Sequence, residues 1–312
     1  MPEIKTGDAF AGMMQDFNGE LSGRVKKITM PWPKLNSAIG TGLGCTHSSL
    51  LAGPPGNGKT FFALQILNAA IAQDKRCLYI PLEMTDSELL RRCYAFILGS
   101  WKIIDSDIKH STFAMEKAIK DKTLRDILRQ TGEAIAENPT MPVIDGRTIT
   151  LKRLTSQNML DFLATKADKY DLIIVDPVSK LDFDGAQQWR AQEDFVKYID
   201  GICRLHKCHV MLVCHTAKRQ RYQGKQTPIS MDDIQGSAAF TRYVDSIMLL
   251  DYHHDGASST VLRVGQNNMP VEHKRTLKLD KARHGKGAGL SFAFDFSETS
   301  PEFKEHGIIV KE

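Results

Sequence analysis

The sequence lacks a strong charge bias, a long apolar run and a regular cysteine spacing. Its formal net charge is +4, from 41 lysines and arginines against 37 acidic residues in 312, so the overall charge permits a polyanionic partner without demanding one. No apolar run is long enough to cross a bilayer, and we expect a cytoplasmic protein without membrane association. The six cysteines are scattered, several of them in apolar runs, which predicts reduced core thiols and excludes zinc-finger spacing.

One short stretch carries a strong motif. Gly53–Thr60 fills the pattern G-x-x-x-x-G-K-[ST] between an apolar run and an amphipathic segment, which predicts a phosphate-binding loop between a strand and a helix. Its glycines allow several backbone N–H groups to converge on a phosphate, and the helix that follows adds its positive end. The residues predicted to surround the nucleotide are Gly53, Pro54, Pro55, Gly56, Asn57, Gly58, Lys59, Thr60 and Phe61. We expect this chain to bind a nucleoside triphosphate.

Apolar runs alternate with helical patterns along the chain, which predicts an α/β fold with a mostly parallel sheet covered on both faces. The predicted strands are 48–52, 77–82, 142–145, 172–176, 209–214 and 246–251, followed by antiparallel strands at 260–264, 275–281 and 290–296. The predicted helices are 87–98, 102–138, 151–169 and 192–206. We divide the chain into an N-terminal linker or interface segment, 1–30, and a main domain, 31–312.

Two acidic residues end predicted strands. Asp176 closes an aliphatic strand downstream of the phosphate loop, where such a residue holds Mg²⁺, so Thr60 and Asp176 are the candidate metal ligands. Glu83 closes another strand at the edge where α/β sheets bind ligands, and it could polarise an attacking water. A capping or ion-pairing role at the start of the next helix explains Glu83 equally well.

A histidine and a basic segment follow the next strand. His215 could contact a γ-phosphate, although a single histidine is more often structural. The segment beyond it carries Lys218, Arg219, Arg221 and Lys225 around Tyr222, and this combination of cations and an aromatic ring suits single-stranded nucleic acid. A solvated surface is the alternative explanation of that charge.

Lys281 and Arg283 alternate near the end of a predicted strand, so their side chains can share a face. In a head-to-tail assembly, such cations could enter the nucleotide site of a neighbouring copy and stabilise charge on a transferring phosphoryl group. A basic surface hairpin and a second nucleic-acid contact are the alternatives.

The order of these motifs resembles the RecA-like ATPase domain of the DnaB-family hexameric replicative DNA helicases, especially the helicase domain of bacteriophage helicase-primases. The resemblance runs from about residue 30 to residue 296 and includes two further blocks, Pro228–Ala238 with Val244-Asp245, and Lys281–Gly285. Six matches in the same order are specific to this family, whereas the phosphate loop alone is not.

The resemblance implies an ATP- and Mg²⁺-dependent helicase motor that moves 5′ to 3′ on single-stranded DNA as a homo-oligomeric ring, usually of six subunits. It makes Lys59 and Glu83 catalytic, His215 the γ-phosphate sensor, and Arg283 with Lys281 the cations acting in trans. It extends the DNA-binding segment to Gln235 and Gly236, although the family often has arginine where this chain has Gln235. A primase, a polymerase or a single-strand-binding protein is the further partner it implies, in a host cytoplasm if the gene is phage-encoded.

Two other functions compete with the helicase motor. A RecA-like recombinase or recombination mediator fits Glu83 and the Lys281–Arg283 pair, but fits the block from His215 to Gly236 less well. An ATP-switched loader or accessory ATPase without unwinding activity is the third possibility. We expect residues 1–30 to be too short for the primase or collar domain that usually precedes such motors.

Overall fold

The computed structural model describes most of the main domain. The described ranges are 27–85, 155–183, 188–217, 228–234, 237–253, 267–296 and 302–310, with shorter pieces at 14, 87–89, 92, 122, 126, 143–144, 221–222, 225–226 and 260–264. Within these ranges, no helix is both long and apolar enough to cross a membrane.

The described strands, in chain order, are β1 (Lys27–Ile28), β2 (Leu43–Gly44), β3 (Ser48–Gly53), β4 (Cys77–Pro81), β5 (Val143–Ile144), β6 (Leu172–Asp176), β7 (His209–His215), β8 (Arg221–Tyr222), β9 (Lys225–Gln226), β10 (Ser246–Tyr252), β11 (Thr260–Val264), β12 (Asn267–Val271), β13 (Arg275–Ala282), β14 (Ser291–Phe296) and β15 (Phe303–Ile309). The described α-helices are α1 (Pro33–Ile39), α2 (Lys59–Ile71), α3 (Ser156–Lys166), α4 (Gln188–His206) and α5 (Ser237–Tyr243).

Eleven of the described strands form one sheet, in the order β12-β11-β15-β14-β13-β10-β3-β7-β6-β4-β5. The strands from β10 to β5 in this order are parallel to one another, and those from β13 to β12 are antiparallel. The predicted α/β class, with a mostly parallel sheet and antiparallel C-terminal strands, is therefore confirmed.

The parallel strands are buried on both faces, which explains their continuous aliphatic sequences. Successive residues point to opposite faces, so Leu51 and Ile174 pack with Phe62 of α2 on one side. Leu50 and Ile173 pack with α3 and α4 on the other side. The sheet is thus the middle layer between two hydrophobic clusters, and its carboxyl edge is held in place from both faces.

Helix α1 is held by residues from the far end of the chain. It follows Trp32, whose indole stacks on Phe62 with ring centroids 3.9 Å apart and donates to the Phe303 carbonyl at 2.9 Å. No side chain of its own sequence caps α1; instead the Glu305 carboxylate accepts from the Lys34 and Leu35 N–H groups. The segment after Pro31 therefore packs on the helix that carries the phosphate-loop lysine.

The predicted helix boundaries agree with the structure to different degrees. Helix α3 begins at Ser156, where Thr155 accepts a hydrogen bond from the Asn158 N–H, and a short 3₁₀ turn continues to Lys169. Helix α4 begins at Gln188, four residues before its predicted start. Most of the predicted helices 87–98 and 102–138 lies outside the described residues, where 87–89, 92, 122 and 126 are helical.

Candidate functional site

The phosphate loop connects β3 to α2 in a conformation that its glycines permit. Gly56 and Gly58 have φ values of +77° and +94°, the left-handed region that favours glycine. A Cβ on Gly58 would lie 2.9 Å from a ring carbon of Phe303, and one on Gly53 would lie 2.2 Å from the Leu250 carbonyl oxygen. The loop therefore tolerates no side chain at Gly53 without moving the backbone of a neighbouring strand, and none at Gly58 without moving the Phe303 ring.

Lys59 lies folded against its own loop. Its Nζ donates to the carbonyl oxygens of Gly53 at 2.9 Å and Pro54 at 2.7 Å, and the residue is only 5% exposed. Burial lowers the pKa of Lys59 to about 8, against a partial opposing effect of Asp176. The side chain is held at the mouth of the loop by neutral acceptors that an anion can replace.

Asp176 ends β6 beside the start of α2. Its Oδ2 accepts from the Thr60 hydroxyl at 2.8 Å and from the Tyr79 hydroxyl. Burial raises the pKa of Asp176, while the hydrogen bonds from Tyr79 and Thr60 oppose that rise. A hydroxyl and a carboxylate are the hard oxygen donors that Mg²⁺ prefers, so this pair fits the ion.

Glu83 and His215 meet across the carboxyl edge of the sheet. The His215 Nε2 lies 3.1 Å from Glu83 Oε2, and Lys180 Nζ lies 3.7 Å from Oε1. The hydrogen bond from His215 is the largest cause of a lowered Glu83 pKa, and Lys180 adds to it. Glu83 is about half exposed and ionised, so its carboxylate can reach water in the cleft.

These side chains line one cleft of about 600 Å³. Its lining residues are Pro55, Gly56, Gly58, Lys59, Thr60, Phe61, Glu83, Met84, Glu88, Arg92, Asp176, His215 and Phe296. The cleft thus contains the loop, the two candidate metal ligands, a carboxylate and a histidine, which is the arrangement that phosphoryl transfer to water requires.

The backbone beyond His215 joins the cleft to a second segment. The Thr216 N–H donates to the Gly53 carbonyl at 3.2 Å, and the Ala217 N–H donates to the Asp233 carbonyl at 2.8 Å. Thr216 also forms an isolated antiparallel bridge with Ile234. The two residues after His215 thus contact both the phosphate loop and residues 233–234.

The predicted nucleic-acid segment is described only in part. Arg221 and Lys225 lie in β8 and β9, a two-stranded hairpin separate from the main sheet. Lys218, Arg219, Gln235 and Gly236 lie outside the described residues. Thr216 and Ile234, which lie within two residues of the segment's first and last predicted contacts in the sequence, form a bridge beside Gly53 of the phosphate loop.

Lys281 and Arg283 lie near the amino-terminal ends of the parallel strands, away from the cleft. Lys281 pairs with Ile247 near the start of β10, and β10 starts beside the start of β3. The phosphate loop is at the other end of β3, about 16 Å away at the usual rise of a strand. These cations therefore do not enter the cleft of their own chain.

Several residues around the cleft carry no signal in the sequence. Tyr79 and Lys180 contact Asp176 and Glu83, and Arg92 lies 5.7 Å from the centre of the Phe61 ring. Tyr79 is one aromatic residue in an apolar strand, and its contact depends on the pairing of β4 with β6, in which Pro81 lies opposite Asp176. Strand register, which no local pattern encodes, brings Tyr79 to Asp176.

Fold and cleft together define a P-loop ATPase with a RecA-like core. Residues 24–221 match the AAA domain family, to which this chain belongs. The chain is therefore an ATP-binding, ATP-hydrolysing enzyme.

Among curated proteins, the chain is 33% identical over 149 residues to the DNA repair protein RadA of Rickettsia felis and 32% identical to that of Rickettsia conorii. These matches cover 46% of this chain and 30% of RadA. The chain thus spans less than a third of the length of these relatives.

Among solved structures, the ATPase domain of G40P superposes with a TM-score of 0.69 at 16% identity, covering 97% of this chain and 99% of that one. A DnaB-like replicative helicase, solved in a study of its interactions with primase, gives 0.65 at 15% identity, covering 100% of this chain and 68% of that one. The resemblance to DnaB-family ATPase domains is confirmed at the level of the fold.

Proposed function

We propose that the protein is an ATP-driven motor that translocates on single-stranded DNA as a ring and unwinds duplex DNA ahead of it, 5′ to 3′ by resemblance. One observation carries the proposal: His215 contacts Glu83 inside the nucleotide cleft, and the next two residues are bonded to the phosphate loop and to residues 233–234. A nucleotide-dependent shift of His215 therefore has a direct path to the segment that flanks the predicted DNA contacts.

Each side chain in the cleft has a role in this proposal. Lys59 exchanges its loop carbonyls for the β- and γ-phosphates, and the backbone of residues 53–61 surrounds the phosphates. Thr60 and Asp176 hold Mg²⁺, which would neutralise phosphate charge. Glu83 orients and deprotonates the attacking water, and His215 exchanges Glu83 for the γ-phosphate.

The separation of the two sets of residues supports a ring arrangement. The cleft lies at the carboxyl ends of the parallel strands, and Lys281 and Arg283 lie near the amino ends. In a head-to-tail ring these cations enter the cleft of the next subunit. Arg283→Ala is then expected to lose hydrolysis while retaining ATP binding.

DNA contacts come from the basic segment in this proposal. Lys218, Arg219, Arg221 and Lys225 contact the phosphate backbone, with Gln235 and Gly236 beside them. Their nearness in sequence to His215 and Thr216 lets each hydrolysis cycle move them along the strand. A primase, a polymerase or a single-strand-binding protein is the further partner that the helicase resemblance suggests.

A second function has its own support. The curated relatives that match 149 residues of this chain are DNA repair proteins, which favours a recombination mediator that moves or exchanges strands. Both functions use the same cleft and the same DNA segment. They differ in the DNA structure that the motor acts on.

Forked-duplex unwinding separates the two functions. We expect the wild-type protein to open a fork with a 5′ single-stranded tail in the presence of ATP and Mg²⁺, and Lys59→Ala to abolish opening. Normal ATP hydrolysis with no fork opened, but with strand exchange or branch migration on a three-stranded substrate, would support the mediator. Hydrolysis with neither activity would leave an ATP-switched loader.

A further inference from the structure

Arg283 is held in place by its own chain. Its Nη2 donates to the Arg242 carbonyl at 2.6 Å, and its Nη1 lies 3.5 Å from the Tyr243 carbonyl. Lys281 Nζ donates to the Thr241 carbonyl at 2.7 Å and to that of Arg242 at 3.1 Å. Both cations thus cap the C-terminal end of α5, where the carbonyl groups have no partner within the helix.

Asp245 fixes the other side of the Arg283 guanidinium. Its Oδ1 lies 3.4 Å from Arg283 Nη1 and 3.4 Å from His284 Nε2, and its Oδ2 accepts from the Ser48 N–H at 3.0 Å. The backbones are bonded as well, because the Arg283 N–H donates to the Asp245 carbonyl at 2.9 Å. Asp245 is only 5% exposed, whereas the Arg283 side chain is 42% exposed. A buried carboxylate therefore holds a guanidinium that faces solvent.

We propose that Asp245 is a positioning residue, which with the C-terminal carbonyls of α5 holds Arg283 in the orientation that a neighbouring subunit's ATP site needs. This proposal rests on the proposed function, in which Arg283 acts in trans. A displacement of about 1 Å in a catalytic group costs about a hundredfold in rate, so a cation on a long flexible side chain needs such a restraint.

The same contacts give the restraint a connection to the DNA segment. Helix α5 begins at Ser237, directly after the predicted DNA-contacting residues 235–236, and ends at the carbonyls that hold Arg283. Tyr243 in its last turn donates to the Glu193 carboxylate at 2.8 Å, which fixes the helix on α4. In the sequence, helix α5 therefore lies between the predicted DNA-contacting residues and the carbonyls that hold Arg283.

The first test compares kcat and ATP affinity for Asp245→Asn, Arg283→Ala and the double variant. Asparagine keeps the size of the side chain and an acceptor for the Ser48 N–H, but removes the charge. We expect Asp245→Asn to lower kcat about a hundredfold with unchanged ATP affinity. If Asp245 acts through Arg283, the double variant has the kcat of Arg283→Ala alone. Multiplied losses in the double variant would overturn the proposal.

The second test mixes subunits. Glu83→Ala subunits have a dead cleft and an intact Arg283, whereas Asp245→Asn subunits have an intact cleft and a misplaced Arg283. At a mixed interface the intact cleft meets the intact arginine, so we expect the mixture to hydrolyse ATP faster than either variant alone. If Asp245→Asn instead disturbed β3, through the lost contact with Ser48, the cleft of its own subunit would be damaged and the mixture would show no recovery. That result would overturn the proposal.

Arg283→Ala mixed with Glu83→Ala separates this proposal from the function on which it rests. Recovery in that mixture and none with Asp245→Asn would reject the positioning role and keep Arg283 in trans. No recovery in either mixture, at any ratio of subunits, would reject the trans arrangement itself.

Discussion

The lowered pKa of the buried Lys59 makes ATP binding depend on pH. Its pKa is about 8 in the protein without nucleotide, and the phosphates of bound ATP favour the protonated form. Below pH 8 both states carry the proton, so this residue contributes no pH dependence. Above it, binding takes up a proton, and the ATP affinity falls about tenfold per pH unit.

Calorimetry in buffers of different ionisation enthalpy measures this proton directly. We expect about one proton taken up per ATP at pH 9 and almost none at pH 7. Lys59→Arg is the matched variant, because its guanidinium stays charged throughout and removes the difference. Equal uptake by the wild-type protein at the two pH values would contradict this account of the loop.

The pKa of Glu83 provides a second test. His215 lowers it most, with a smaller contribution from Lys180. His215→Ala should therefore move the acid limb of the kcat/KM–pH profile, which reports the protein without nucleotide, to higher pH, and Lys180→Met should move it less. Lys197→Met removes a lysine that pairs with Glu193 on α4 and should leave the limb in place. An acid limb that does not move in His215→Ala would remove Glu83 from the role of base.

The cleft residues differ in how far the sequence predicts them. The motif Gly53–Thr60 encodes a local geometry, and Asp176, Glu83 and His215 each end an apolar strand, so the sequence places all of them at one edge of the sheet. The contacts of Tyr79, Lys180 and Asp245 depend on how distant segments of the chain pack together. Their partners are 97, 97 and 38 residues away, a distance over which no periodic pattern acts.

At the scale of elements, strand β15 packs against the phosphate loop. The Phe303 ring lies against Gly58 and packs on the rings of Phe62 and Phe296, with centroids 5.2 and 4.6 Å away. Its backbone exchanges hydrogen bonds with the Gln65 side chain of α2. Strand β15 thus fixes the start of α2, the helix that carries Lys59.

Truncating this ring should cost both stability and affinity. Phe303 is 1% exposed, so Phe303→Ala is expected to lower the free energy of unfolding by about 3–5 kcal/mol, measured by urea denaturation. ATP binding should weaken as well, because Gly58 loses its support. Leu205→Ala, at a residue 76% exposed on α4, is the control and should change stability by less than about 0.5 kcal/mol. Equal effects of the two variants would refute the supporting role.

The sequence likewise predicts the strands that have a clear local pattern, and misses elements that depend on distant residues. Strands β3, β6, β7 and β10 each contain a run of apolar residues, and the sequence predicts each to within a residue or two. Helix α1 and strand β15 were not predicted, because α1 takes its N-terminal cap from Glu305 and β15 mixes polar and apolar residues along its length. Each stabilises the other, so neither has a clear local pattern.

At the scale of the whole molecule, DNA binding should depend strongly on salt. Four cations in the basic segment, each displacing counterions from single-stranded DNA, predict a slope of about −3 for log Kobs against log salt concentration. Lys225→Gln should make that slope less steep by about 0.7. Lys304→Gln, on an exposed residue of β15, should leave it unchanged. A slope near zero would exclude the segment as a DNA contact.

The rate of ATP hydrolysis with and without single-stranded DNA tests the central claim most directly. If the path from Glu83 through His215 and Thr216 couples the cleft to the DNA segment, single strands raise kcat, and Lys59→Ala abolishes hydrolysis under both conditions. Unchanged hydrolysis across saturating single-stranded DNA, in a protein shown to bind that DNA, would contradict the coupling and with it the motor.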